Sequence, residues 1–86
     1  MITDKTGEAA APDIEAWANR LAHLTEDGTG ASVYYDADSS TYVLRLAKKN
    51  RVLLFRLSEA QVQTASREGE CEKTLRRKIK DLQERP

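Results

Sequence analysis

The chain is expected to fold as an α+β domain of element order α-β-β-β-α-α, a three-stranded antiparallel meander with helices packed mainly on one face. Three observations predict it. Apolar residues recur at helical spacing over residues 12–25, and three β-rich runs at 31–35, 41–48 and 51–57 are separated only by turn residues. A Ser-x-x-Gln capping box at Ser58 then opens a helical final third.

The first helix starts at Pro12, which the first turn tolerates, with Asp13 and Glu15 beside the positive end of its dipole. Ile14, Trp17, Leu21 and Leu24 step by three, four and three, with Ala18 and Ala22 on the same stripe, so this side is read as core. The run Thr25-Glu26-Asp27-Gly28-Thr29-Gly30 stops the helix with residues able to take positive φ, and a strand follows from Ala31 to Tyr35. Alternation sends Tyr34 and Tyr35 to opposite faces.

Asp36-Ala37-Asp38-Ser39-Ser40 is a turn, with local hydrogen bonds expected from the aspartates. Thr41–Lys48 returns as a strand carrying Tyr42, Leu44 and Leu46 on one face and Val43, Arg45 and Ala47 on the other. Lys49-Asn50 suits a two-residue hairpin loop before the third strand, Arg51–Leu57. Leu57 and Val62 then form a hydrophobic staple around the Ser58 cap. A second helix is predicted to about Arg67, with Gly69 closing it, and a third over residues 70–83, with Cys71, Leu75, Ile79 and Leu82 in line. Cys71 and Leu75 are expected on the domain, and Ile79 and Leu82 more exposed.

With 86 residues, 40% apolar and 33% charged, the chain makes one domain over 12–86, preceded by a flexible segment 1–11 and ending in an amphipathic basic helix, 70–86. Cys71 is the only cysteine, so the chain alone builds no internal disulfide, zinc quartet or Cys-x-x-Cys pair. No apolar segment suits a signal peptide or a membrane span, and a reducing, cytoplasmic setting is expected.

Net charge is zero, yet it divides sharply. Residues 1–44 hold Lys5 and Arg20 against eight acids, a balance of −6, and residues 45–86 hold twelve Lys and Arg against six acids, a balance of +6. Such asymmetry points to a partner: another copy, an acidic protein or a nucleic acid. Two groups of candidate binding residues follow. Lys73, Arg76, Arg77 and Lys80 share one side of the third helix, as a phosphate-docking stripe or as a solvated helix face with basic residues toward its negative end. Arg45 and Arg56 sit among Val43, Val52 and Leu54 on one sheet face, an interface-like composition if the face is open, or a covered surface if the third helix lies over it.

The chemistry of catalysis and ligation is sparse. Asp36-Ala-Asp38-Ser-Ser40 begins like a calcium loop, but Thr41 stands where that loop needs Gly and Ala47 where it needs Glu, so no metal site is assigned. Gly28-Thr-Gly30 follows a helix and lacks a third glycine, which makes it a cap and not a nucleotide loop. His23 is the only histidine and is read as exposed; Cys71 is read as a packed apolar residue. No catalytic residue, cofactor or small-molecule substrate is indicated.

The order α-β-β-β-α over residues 12–67 resembles that of double-stranded RNA-binding domains. Those domains dock through the first helix, the loop after the first strand and a lysine-rich start of the last helix. Here those places hold Glu15, Asp36 and Asp38, and Ser58-Glu59-Ala60-Gln61, so the basic docking residues are absent. The function expected is therefore a small non-enzymatic protein-interaction module, self-associating through its opposed acidic and basic surfaces or its C-terminal helix. The alternative is a nucleic-acid-binding domain using the basic face of that helix.

Overall fold

A computed structural model describes residues 2–25 and 28–84. Met1, Glu26 and Asp27 of the expected helix stop, and Arg85 and Pro86 lie outside the described residues. A 3₁₀ turn at Gly7–Ala10 leads into α1 (Ala11–Thr25), whose first turn holds Pro12. Ile14, Trp17, Ala18, Leu21 and Ala22 form its buried side. Leu24, expected to end that stripe, is instead 78% exposed. At about 100° per residue it falls at the margin of the stripe, while Thr25 comes round in line with Ala18, Leu21 and Ala22.

Three strands follow, β1 (Gly30–Asp36), β2 (Thr41–Lys48) and β3 (Arg51–Ser58), paired antiparallel in the order β1-β2-β3. The register sets Leu46 between Ala31 and Leu53, Leu44 between Val33 and Phe55, and Tyr42 between Tyr35 and Leu57. Those rows face the helices, and the central residue of each is fully buried. Both hairpin turns use a non-glycine residue at positive φ, Ser40 at 53° and Lys49 at 57°. The Asp38 N–H donates to Asp36 Oδ1 at 3.1 Å, the local turn bond expected of an aspartate there.

Ser58 caps α2 (Glu59–Gln63) as its sequence predicts: Gln61 N donates to Ser58 Oγ at 3.1 Å and Ser58 N donates to Gln61 Oε1 at 2.9 Å. The helix ends earlier than expected. The break lies at Thr64, whose hydroxyl donates to the Ala60 carbonyl at 2.7 Å while its backbone leaves helical geometry at φ −94°, ψ 114°. After a 3₁₀ turn at Ala65–Arg67, α3 runs Glu68–Glu84, so Gly69 is in its first turn and caps nothing.

Helices α1 and α3 lie against each other on one side of the sheet, α1 against β1 and α3 against β2 and β3. Cys71, Leu75 and Ile79 are 0% exposed and Leu82 1%, which corrects the expectation that the last two would be more open. The apolar stripe of α3 is buried because the helix packs against both α1 and strands β2 and β3. That stripe is therefore not on the surface of the folded chain.

The segment before α1 makes hydrogen bonds to the rest of the domain. Ile2 N donates to the Val62 carbonyl at 3.2 Å and Thr3 Oγ1 to Asp13 Oδ2 at 2.8 Å. Glu59 accepts from Gly7 N at 2.8 Å and from Tyr35 Oη at 3.3 Å, and Tyr42 Oη donates to the Gly7 carbonyl at 2.9 Å. These partners lie far away in sequence, so local pattern does not announce them. Burial, reinforced by the Glu59 and Tyr35 charges, pushes the Tyr42 hydroxyl up to about 12. The folded state therefore keeps a proton that the unfolded chain releases from about pH 10, so stability is full below that pH and falls as pH rises towards 12. An alkaline melt series should show this decline, and Tyr42→Phe should flatten it; an unchanged slope in the variant would assign the decline to another group.

Candidate functional site

The face of the sheet away from the helices is built from the alternate residues of each strand. Its rows run Gly30, Ala47, Val52; Ser32, Arg45, Leu54; Tyr34, Val43, Arg56; and Asp36, Thr41, Ser58. No helix covers it among the described residues. Val43 is sealed by its neighbours at 3% exposure, whereas Tyr34, Val52 and Leu54 stand 58%, 47% and 60% exposed around it. A shallow hollow of about 390 Å³ lies between Tyr34, Val43, Leu54, Phe55 and Arg56. An apolar centre with arginine at its margins is the composition of a contact surface.

The two arginines differ. Arg45 is exposed between Ser32 and Leu54. Arg56 is held across the sheet, its Nη1 donating to Asp36 Oδ2 and Thr41 Oγ1 at 2.9 Å each and to Ser39 Oγ at 3.3 Å. The Arg56 hydrogen bond, helped by the Ser39 hydroxyl, holds the Asp36 carboxyl below the ordinary aspartate range. Asp36 belongs to the acidic half of the chain and Arg56 to the basic half, so this exposed pair joins the two halves within one molecule.

Lys73, Arg76, Arg77 and Lys80 are exposed on the side of α3 opposite Cys71, Leu75 and Ile79. The structure thus places them on the helix layer and Arg45 and Arg56 on the far side of the sheet, and the six candidates form two surfaces, not one. Arg76 Nε donates to Glu72 Oε2 at 3.2 Å, and its Nη1 reaches Thr25 Oγ1 at 3.5 Å. His23 is exposed. Cys71 is buried beside the Gln61 carbonyl, 3.7 Å from its Sγ, and burial, with Glu70 nearby, pushes its thiol up, away from the reactive thiolate.

The chain has no match among protein-family models, curated proteins or solved structures.

Sequence pattern did not reveal how the sheet edges are finished. On β1, Asn19 of α1 forms a two-bond clamp, its Nδ2 donating to the Ala31 carbonyl at 2.9 Å and its Oδ1 accepting from Ala31 N at 3.0 Å. Glu15 Oε1 accepts from Val33 N at 3.0 Å. Three outward backbone groups, the Ala31 N–H and C=O and the Val33 N–H, are thus occupied by side chains. The spacing of Glu15 and Asn19, four residues apart beside the apolar stripe, was the signal available. Since Ala31 and Val33 point outward, antiparallel alternation turns Leu44 and Leu46 towards β3, and leaves Val52, Leu54 and Arg56 with their N–H and C=O groups directed away from the sheet. No hydrogen bond among the described residues takes those groups.

Proposed function

We propose that this chain is a small non-enzymatic protein-interaction module that self-associates through its sheet. The observation that supports it most is the grouping of Tyr34, Val52 and Leu54, three of the four large apolar side chains exposed among the described residues, on one uncovered face. Burial of such surface drives association, and the flanking arginines add selectivity. The opposed charges contribute less to the contact than the sequence suggests, because Asp36 and Arg56 already pair within the chain. A reducing, cytoplasmic setting belongs to the same proposal and is consistent with a single, buried, free thiol.

Sedimentation of the protein alone and with short RNA or DNA duplexes tests this at physiological salt. Self-association should rise with protein concentration, and no duplex should co-sediment at about 100 μM protein, a concentration that reaches ordinary non-specific affinities. The variant with Arg76, Arg77 and Lys80 each changed to Glu should associate like the parent. Duplex binding that weakens steeply with salt and is lost in that variant would replace this proposal with a nucleic-acid interface on α3.

A further inference from the structure

We infer that two copies join through β3, edge to edge and antiparallel, so that two three-stranded sheets become one of six strands. This rests on the proposed self-association and specifies its geometry. The two edges of the sheet are unequal: on β1, Asn19 takes the Ala31 N–H and C=O and Glu15 the Val33 N–H, whereas on β3 Val52, Leu54 and Arg56 direct outward N–H and C=O groups that have no partner among the described residues. Val52 and Leu54 are also two of the exposed apolar side chains, so unpaired backbone and uncovered apolar surface coincide on the same residues. Residues 52–55 of this edge, Val-Leu-Leu-Phe, contain no charge, proline or glycine that would discourage an added strand.

The occupant that fits is a second copy. Pairing Arg51–Leu57 in full with its own copy fixes Leu54 opposite Leu54 on a two-fold axis, Leu53 opposite Phe55 on the helix side, and Arg56 opposite Val52. The outward residues then exchange their main-chain hydrogen bonds, and the arginines of the two copies do not face each other. Sliding the strands until Arg56 met Arg56 would set like charges together. Capping of β1 gives the assembly closure: with one edge occupied by α1, strand addition stops at two copies and does not run on into a fibre.

Position 54 carries the test, read by sedimentation equilibrium at about 10–200 μM with folding followed by circular dichroism. The parent should form a dimer, Leu54→Lys and Leu54→Glu should each be monomeric, and their equimolar mixture should recover a one-to-one dimer, because only pairing at the axis sets residue 54 against itself. Tyr34→Lys, on the opposite edge strand, should dimerise like the parent. If either position-54 variant does not fold, Leu54→Pro removes the outward N–H without breaking the ladder to β2, a substitution an edge strand accepts, and should also be monomeric. A parent dimer that survives the position-54 changes and is lost in Tyr34→Lys would overturn the edge geometry in favour of face-to-face stacking and leave the proposed function standing. A parent that is monomeric throughout would overturn both.

Discussion

A chain shortened to end at Gly69 should not fold. The truncation removes Cys71, Leu75, Ile79 and Leu82, none more than 1% exposed, and with them the packing of α3 against α1, β2 and β3. Burying large apolar side chains stabilises by about 1.5–3 kcal/mol each, so the loss is comparable with the roughly 5–15 kcal/mol that holds a small domain together. The far-ultraviolet dichroism and thermal melt of the shortened chain check this. A cooperative melt with retained β-structure would mean that α3 is an accessory to the domain and that its stripe is free for a partner after all.

Trp17→Ala should be the most damaging single substitution. Trp17 is 7% exposed within the cluster that includes Ile14, Leu21, Tyr42 and Leu44, and removing an indole from such a site costs about 3–5 kcal/mol in lost transfer energy and residual cavity. In a domain of 86 residues that brings the folded state close to balance with the unfolded one. Trp17→Phe, which retains much of the volume, should cost less. Urea titrations of the three proteins give the comparison, and an alanine variant as stable as the parent would remove Trp17 from the core.

Most of the architecture was legible because period and turn chemistry agree. The alternation of Tyr42, Leu44 and Leu46, bounded by the Asp36–Ser40 turn and by Lys49-Asn50, specifies the hairpins to within a residue at each strand end. The errors have particular causes. Gly69 looked like a helix stop, but the Thr64 hydroxyl, by bonding back to Ala60, ends α2 five residues sooner. Alternation gave the composition of both sheet faces correctly and was silent on which would be covered, since that depends on where α3 comes to rest. The docking of residues 2–10 rests on Glu59, Val62 and Tyr42, whose nearness is a product of the fold.

The candidate surface was half legible for the same reason. Arg45, Arg56, Val43, Val52 and Leu54 were placed on one face by their period, and that face is the uncovered one. Lys73, Arg76, Arg77 and Lys80 form a separate surface, because α3 buries its apolar stripe towards the other face of the sheet and carries these cations on its exposed side. The unequal edges needed the structure: an asparagine and a glutamate on a helix read as ordinary surface residues until Ala31 and Val33 are brought beside them.

The most direct measurement of the central claim is amide hydrogen exchange at Leu54 as a function of protein concentration. In a single copy the Leu54 N–H points away from β2, whereas the neighbouring Phe55 N–H is directed into the β2–β3 ladder opposite Leu44. Between about 5 and 500 μM, the range of moderate protein association, protection at Leu54 should rise steadily while Phe55 stays protected throughout. Rapid exchange at Leu54 that is equal at both ends of that range would contradict association through the β3 edge.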